Sequence, residues 1–354
     1  MKDISLTGGV APIDASRTRE NASTASGVPL PVRITLMREH GRGSYAFSAV
    51  YQSGLEHFGD ERGFLAYKKV GRTALVLSDP VAPPEHLPDL ISRFVAQQRD
   101  VGFWFVSHGV AKVLAEQGFT INAMGYDTHI DLPTYSFSGR KKQTLREALN
   151  RMVKRGFVTR EGSLTEVGID KVKALHEAWR QTRTFTSEEL VFLNRPLLVA
   201  EEPDVRRFFT FDKDGKLVAF AFFDPIYDGG KVIGYLSQHS QNLPEADRLV
   251  TLALKRVAIE TFQKEGLKVL HLGLAPFADI MNDQEFRANR SRVTAFYFHF
   301  SFNNWLVNRY LISLKGIVAH RRLYDGIQQQ TYYGFNRRPS LPRILKLMRA
   351  CKMI

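Results

Sequence analysis

A run of cations between residues 139 and 156 has the residue types and spacing that point most directly to chemistry. Read as a helix, this segment places Lys142, Arg146 and Lys154 at intervals of four or eight along one face. Neighbouring like charges on a helix repel each other by about 0.2–0.5 kcal/mol per pair, a cost that a bound anion removes. Guanidinium groups also match phosphate oxygens bidentately. The sequence therefore predicts a phosphate-binding surface made by Arg140, Lys142, Arg146, Arg151, Lys154 and Arg155.

The alternative to phosphate binding is that this segment forms a helix face that only contacts water. Such faces normally carry both signs of charge, whereas Glu147 is the only acid here. The opposite side of the predicted helix carries an apolar stripe, which predicts packing against a core. Its members are Leu145, Leu149, Met152 and Val153. The segment alone does not distinguish an RNA backbone from a lipid headgroup as its phosphate partner.

The whole chain is also basic, with 49 Lys and Arg against 36 Asp and Glu and a formal net charge of +13 over 354 residues. This excess predicts polyanionic partners, namely nucleic acid, an anionic membrane surface or a phosphorylated substrate. The single cysteine, Cys351, excludes an intrachain disulfide and fits a reducing compartment. No apolar run approaches the roughly 20 residues that cross a bilayer. We therefore expect a cytoplasmic protein, peripheral on the inner face of the membrane.

Local patterns predict an α/β fold with two lobes joined near residues 160–170. Two hairpins of similar form, at 64–78 and 207–223, each end in an Asp-Pro pair, which indicates an internal duplication. Strands and helices follow each hairpin in the same order, the layout of tandem acetyltransferase-like (GNAT) lobes. The expected boundaries are a disordered tail at 1–34, an N-terminal lobe at 35–165, a C-terminal lobe at 166–336 and a basic segment at 337–354. That last segment is equally suited to an anionic bilayer and to docking on the core.

Several of these motifs together resemble the catalytic domain of the aminoacyl-phosphatidylglycerol synthases, also called multiple peptide resistance factors. The resemblance is carried by Gly139 to Lys142 with the basic helix after it, and by Leu272-Gly-Leu-Ala-Pro276. Matches in the same order include Leu77 to Pro80, Trp179 and Val218 to Ala221, and the similarity covers roughly residues 45–335. In place of the family's Asp-Leu-Met-Arg motif, this chain has Tyr235 to His239.

The resemblance implies a pair of acetyltransferase-like lobes and an enzyme that moves an amino acid from the 3′ end of a charged tRNA to a lipid hydroxyl. It implies aminoacyl-tRNA as co-substrate, an anionic phospholipid as partner, and no cofactor or metal. The family usually carries an N-terminal membrane flippase, so a stand-alone soluble form is expected. The amino acid and the acceptor stay open, as does the oligomeric state.

An aminoacyl ester is already activated, so its transfer requires orientation, removal of a proton from the acceptor and stabilisation of an oxyanion. His239 at a strand end is the candidate base. Lys315, His320 and Arg321 are candidates for binding the terminal adenosine phosphate or the oxyanion, and Asp283 for binding the aminoacyl ammonium. Small residues at the end of a strand are expected to line the cleft, and these are Gly273, Ala275 and Pro276.

Two other functions compete with aminoacyl transfer. One is an acyl-CoA-dependent N-acyltransferase of the same fold, which needs a glycine-rich pyrophosphate loop at a helix N-terminus. The loop in the corresponding place, 238–247, has no glycine and carries Glu245 and Asp247, whose charges repel phosphate. The other is a non-catalytic RNA- or membrane-binding module, which would bind in a salt-sensitive way without turnover.

Overall fold

The fold was analysed in a computed structural model that describes residues 27–182, 191–337 and 341–353. The strands are β1 Glu56–Asp60, β2 Gly63–Val70, β3 Thr73–Leu77, β4 Val101–Val106, β5 Thr120–Asp131, β6 Val158–Glu161, β7 Arg206–Phe211, β8 Leu217–Asp228, β9 Lys231–Asn242, β10 Val269–Pro276 and β11 Ile327–Phe335. The α-helices are α1 Leu30–His40, α2 Ala46–Tyr51, α3 Leu87–Gln98, α4 His108–Glu116, α5 Gln143–Lys154, α6 Leu164–Val167, α7 Ile169–Gln181, α8 Val250–Lys264, α9 Arg292–Asn303, α10 Leu314–Arg322 and α11 Leu341–Ala350. A π-helical turn, Val307–Leu311, separates α9 from α10.

All of these strands form one sheet, in the order β1-β2-β3-β4-β11-β5-β10-β9-β8-β7-β6. The pairs β3–β4 and β9–β10 are parallel, and the other neighbours are antiparallel. A parallel pair requires a crossover, which α3 provides in the first half and α8 in the second. The mixed α/β class predicted from the sequence is confirmed.

The two halves form one sheet, and the last strand of the chain inserts into the first half. Strand β11 lies between β4 and β5, and β5 in turn pairs with β10. The indole of Trp104 on β4 stacks on Tyr333 of β11 with ring centres 5.0 Å apart. Both side chains are fully buried, so aromatic packing holds the inserted strand in place.

The internal duplication involves different strands from those that the hairpin motifs indicated. The unit β1-β2-β3-α3-β4 corresponds in topology to β7-β8-β9-α8-β10, so the hairpin β2–β3 matches β8–β9 and not β7–β8. Asp224-Pro225 lies inside β8 and is no turn, because Arg195 holds the buried Asp224 carboxylate in a bidentate pair at 2.5 and 3.0 Å. Asp79 does follow a strand, where its Oδ1 accepts the backbone N–H of Ser107.

The predicted basic helix forms as α5 and packs on α8, a helix of the second half. Leu145, Ala148 and Met152 are its buried residues, whereas Val153 is 62% exposed. The prediction that Val153 belongs to the apolar stripe is therefore wrong. Val153 lies about 100° around the helix from Met152 and faces away from α8.

Helices at the two ends of the described chain pack on the sheet, α1 against strands of both halves and α11 against the first half. Helix α1 begins at Leu30 and buries Leu36 and Met37, so the tail expected at residues 1–34 overlaps the first turns of a packed helix. Residues 1–26 of that tail lie outside the described residues. Helix α11 buries Ile344 and Leu347 against β2 and β3, which selects core docking over a free basic segment.

No helix in the part of the chain that the structure describes is long and apolar enough to cross a bilayer.

Candidate active site

The sheet opens where β9 and β10 separate, and we call this opening the fork. The two strands pair only from Gly234–Val269 to Leu236–His271, after which β9 continues along β8 and β10 continues along β5. Gly273 follows a register shift in β10 and has φ +83°, a conformation that favours glycine. Its carbonyl oxygen accepts a hydrogen bond of 2.7 Å from Arg321 Nε. A Cβ at this position would lie 3.2 Å from Arg321 Nη2 and 3.9 Å from the Tyr45 hydroxyl.

Three basic side chains meet beside Gly273 and form what we call the cation cluster: Lys255 of α8 with His320 and Arg321 of α10. Lys255 Nζ lies 3.5 Å from His320 Nε2. Burial and the charge of Arg321 lower the pKa of Lys255 to about 7, and burial with the charge of Lys255 lowers the pKa of His320 to about 3. Neither Lys255 nor Arg321 forms an ion pair with a carboxylate of the described residues. Cations that are withdrawn from water without a directly paired carboxylate are costly, so the cluster is suited to receive an anion.

A carboxylate–imidazole pair lies on the neighbouring strands. His271 Nδ1 of β10 is 2.7 Å from Asp127 Oδ2 of β5, and the same oxygen accepts a 2.9 Å hydrogen bond from the Ser44 hydroxyl. Burial raises the pKa of Asp127, but His271 and Ser44 outweigh this effect and the pKa falls below its usual value. An ionised Asp127 requires the proton on Nδ1 of His271, which leaves Nε2 available as a base. His271 is the more accessible member, with 13% of its side chain exposed.

The cation cluster and the Asp127–His271 pair belong to one site. The negative charge of Asp127 acts on Arg321 and on Tyr45, and the charge of Arg321 acts on Tyr45. Burial raises the pKa of the Tyr45 hydroxyl, which therefore stays protonated at neutral pH and can donate a hydrogen bond. The site thus combines a base, a neutral donor and fixed positive charge. These are the groups that acyl transfer to a hydroxyl requires.

The basic surface predicted from the sequence adjoins this site at one end. Lys141 forms an ion pair of 3.0 Å with Asp325, and Lys142 Nζ lies 4.0 Å from the ring centre of Tyr135. The hydroxyl of Tyr135 donates to the carbonyl oxygen of Tyr324, three residues after Arg321. A path of cations therefore leads from α5 to the end of α10.

Some cations of α5 already have partners within the protein. Arg151 and Arg155 share the carboxylate of Asp247 at 3.0 and 2.6 Å, and Arg146 donates to the carbonyl oxygens of Phe137 and Gly139. Half or more of the Arg151 and Arg155 side chains is nevertheless exposed. They line a surface depression of about 370 Å³, together with Glu147, Asn150 and Lys154. Arg140 is exposed at the start of the path.

The structure keeps the three predicted catalytic residues apart from one another. His239 is buried on β9 near Arg195 and His176, and burial with these charges lowers its pKa to about 3, so it is a weak base. Lys315 is exposed at the first turn of α10, about two turns from Arg321. Asp283 lies after β10, where its carboxylate accepts from the backbone of Glu285. Of the predicted set, Arg321, His320 and Gly273 meet at the fork, and Ala275 and Pro276 continue β10 beyond it.

Comparison with known proteins identifies the family. The sequence model of the family described as "Phosphatidylglycerol lysyltransferase, C-terminal" matches residues 34–308. The chain belongs to this family. A phosphatidylglycerol lysyltransferase of Bacillus subtilis is 22% identical over 292 residues, which are 80% of this chain and 32% of that protein. The chain thus spans about a third of the length of this curated relative.

Solved structures show the same fold as this family member. The structure of L-PGS from Bacillus licheniformis superposes with a TM-score of 0.74 at 17% identity, covering 91% of this chain and 96% of that one. The C-terminal domain (DUF2156) of a putative lysylphosphatidylglycerol synthetase from Agrobacterium fabrum gives a TM-score of 0.70 at 20% identity, covering 91% and 95%. The resemblance inferred from the basic segment and Leu272 to Pro276 is therefore confirmed.

Four residues of the site in this phosphatidylglycerol lysyltransferase family member were missed by sequence reasoning: Tyr45, Asp127, Lys255 and His271. A signal existed for Lys255, because it lies in the apolar stripe of α8 with Leu252, Ile259 and Phe262 at helical spacing. A charge in such a stripe is a candidate functional position. Asp127 and His271 are 144 residues apart, and no local pattern pairs them.

Replacing Lys255 by methionine is expected to stabilise the substrate-free family domain while impairing its activity. At pH 6 the native protein must bury the Lys255 charge, so Lys255→Met should raise the free energy of unfolding by roughly 2–4 kcal/mol. The unfolded chain binds the Lys255 proton between pH 7 and pH 10 and the native chain does not. Wild-type stability relative to the variant should therefore rise with pH across this window. Denaturant unfolding at pH 6, 8 and 9.5 measures the difference, and a pH-independent difference would contradict it.

Proposed function

We propose that this chain transfers an amino acid from aminoacyl-tRNA to a hydroxyl of phosphatidylglycerol or a similar anionic lipid. The observation that carries the proposal is a carboxylate-oriented imidazole at the fork beside the buried Lys255 and the partly buried Arg321, neither of which forms an ion pair with a described carboxylate. Family membership supports the lipid acceptor, since relatives carry the name phosphatidylglycerol lysyltransferase. The path of cations along α5 supports an RNA donor.

In the proposed reaction, the acceptor oxygen attacks the carbonyl carbon of the aminoacyl ester while its proton passes to Nε2 of His271. The carbonyl oxygen becomes negative and is stabilised by Arg321, by Lys255 in its protonated form and by the Tyr45 hydroxyl. The bond between the carbonyl carbon and the ribose oxygen then breaks, and His271 returns the proton to that oxygen. One ester and one alcohol give another ester and another alcohol, so the exchange needs no oxidant, reductant or cofactor.

The phosphates of the tRNA acceptor end are proposed to follow α5 toward the fork. Arg140 and Lys154 are exposed and form no ion pair with a described residue. Arg151 and Arg155 outnumber the single Asp247 carboxylate that they share, so together they keep net positive charge. This surface ends beside Tyr324 and Asp325, next to the cation cluster.

The acyl-CoA alternative lacks its phosphate site at α8. The N-terminal turn of this helix is where an acetyltransferase binds pyrophosphate through backbone N–H groups. Here Asp247 Oδ1 accepts from the Leu249 N–H, and its other oxygen binds Arg151 and Arg155. A carboxylate of the protein thus occupies the position that a pyrophosphate needs.

The deciding experiment incubates the chain with labelled aminoacyl-tRNAs and vesicles that contain phosphatidylglycerol, followed by organic extraction. Label that moves into the lipid phase supports the proposal. Stable aminoacyl-tRNA in the presence of every lipid tested, together with turnover of acyl-CoA, would establish the alternative.

Replacing Arg151 and Lys154 by alanine is expected to weaken binding of aminoacyl-tRNA about 5- to 30-fold. The slope of the logarithm of affinity against the logarithm of salt concentration should fall by the equivalent of about two phosphate contacts. The matched control is Lys171→Ala with Lys173→Ala, which removes two exposed charges from α7. Affinities measured by filter binding at several salt concentrations give both quantities. Equal losses in the two double variants would show that only net charge matters, and the path along α5 would then be wrong.

A further inference from the structure

Helix α9 and the π-helical turn after it present an unusual apolar surface, which we call the α9 patch. Val293, Phe296 and Phe300 lie on the outer face of α9, since Thr294, Ala295 and Phe298 face the core. Trp305 follows with 66% of its surface exposed, and its ring packs edge-on against Tyr310 at 5.8 Å. The exposed members of the patch are Val293, Phe296, Phe300, Trp305, Leu306, Tyr310 and Leu311. Clustered aromatic exposure of this kind marks an interaction surface.

The segment that carries the α9 patch has charges of one sign. No acidic residue occurs between Glu285 and Asp325 in the sequence. Four cations in this interval are exposed and form no ion pair with the described residues, namely Arg287, Arg292, Arg309 and Lys315. The combination of exposed aromatic rings and a rim of arginine and lysine complements the headgroup region of an anionic bilayer.

The patch and the fork are carried by adjoining elements. Phe298, on the inner face of α9, stacks on Phe277 with ring centres 4.3 Å apart, and Phe277 directly follows the last residue of β10. On the other side, α10 starts three residues after the π-helical turn and carries Arg321 at its end. A surface on which α9 rests would therefore lie close to the open end of β10.

We propose that the α9 patch docks this protein on the surface of an anionic phospholipid bilayer, with Phe296, Phe300 and Trp305 inserted at headgroup depth. This inference rests on the proposed function, because docking would bring a lipid acceptor to the fork. A bilayer fits better than a second copy of the chain, because a self-complementary interface would set the unpaired cations of two patches against each other.

The test is flotation of the chain with vesicles of phosphatidylglycerol and phosphatidylethanolamine, compared with vesicles of phosphatidylcholine. The triple variant Phe296→Ser, Phe300→Ser, Trp305→Ser should lose at least about tenfold in partitioning to the anionic vesicles. The control Val158→Ser with Leu198→Ser removes two equally exposed apolar side chains elsewhere and should bind as wild type. Equal partitioning of the triple variant and the parent overturns the proposal.

A second variant tests the docking proposal even if the triple variant does not fold. Arg292→Glu with Arg309→Glu leaves the aromatic rings in place, and it should reduce binding to anionic vesicles by a similar factor. A triple variant that changes only the oligomeric state, with vesicle binding intact, would assign the patch to self-association and overturn the docking.

Transfer measurements separate this proposal from the proposed function. Short-chain phosphatidylglycerol below its micellar concentration needs no docking, so the triple variant should aminoacylate it as wild type does while losing activity on vesicles. If the wild-type chain transfers no amino acid but still binds vesicles through the patch, the proposed function is wrong and the docking proposal is supported. Equal loss of activity on short-chain and vesicle lipid would place the patch in the site and contradict docking.

Discussion

Arg321→Ala is expected to lower aminoacyl transfer to lipid by about 100- to 1,000-fold, with most of the loss in kcat. In the proposed reaction the guanidinium supplies fixed charge where the carbonyl oxygen turns negative, and removal of one such donor has this magnitude in other acyl-transfer enzymes. Its position is set by the 2.7 Å hydrogen bond from Nε to the Gly273 carbonyl. Initial rates over a range of aminoacyl-tRNA concentrations at saturating lipid separate kcat from KM.

The control for this prediction is the next residue in the chain. Arg322 has 59% of its side chain exposed and lies 3.6 Å from Asp279, so Arg322→Ala removes an equal charge from the same helix without touching the fork. We expect it to stay within about threefold of wild type, since exposed ion pairs contribute little. Arg321→Lys keeps the charge but loses the planar contact with Gly273, and it should recover only part of the activity. Equal effects of the Arg321 and Arg322 variants would show that Arg321 contributes only to the net charge of the protein.

His271→Gln is expected to reduce transfer by about 100- to 10,000-fold, because glutamine cannot accept and return the acceptor proton. Asp127→Asn should act on the same step by a different route. The amide no longer requires the proton on Nδ1 of His271, so the base loses its orientation. In the proposed reaction Asp127 is a positioning residue, and its variant should change the tautomer of His271, which nitrogen NMR detects.

The two substitutions should be strongly non-additive, with the double variant about as impaired as His271→Gln alone. His108→Gln is the matched control, since His108 also pairs with a carboxylate, Glu285, but at a half-exposed position away from the fork. Thermal unfolding of each variant checks that the buried Asp127 site still folds. A double variant whose loss equals the product of the single losses would show that Asp127 and His271 do not act as a unit.

Patterns within about 20 residues were predicted well from the sequence. The hairpin β2–β3, the helix α5 and the strand β10 all appear close to their predicted positions, because turn residues, charge spacing and apolar runs act locally. The tandem arrangement was also recognised, although the Asp-Pro motif aligned the wrong strands. Asp224 precedes a proline, as a turn residue often does, and no local pattern reveals its ion-pair partner, Arg195, 29 residues earlier.

The amino-acid sequence by itself determined the α/β class, the basic helix and the family, and it singled out Arg321 and Gly273 as candidate site residues. Tertiary structure alone brought a carboxylate–imidazole pair and further basic side chains beside these candidates. Asp127 reaches His271 only because β5 of the first half pairs with β10 of the second, and Lys255 reaches His320 only because α8 and α10 pack around the same fork. His239 failed as the candidate base for a related reason. The sequence predicted an imidazole at a strand end, but His239 lies inside β9, and the burial and neighbouring charge that set its pKa depend on elements that the fold brings together.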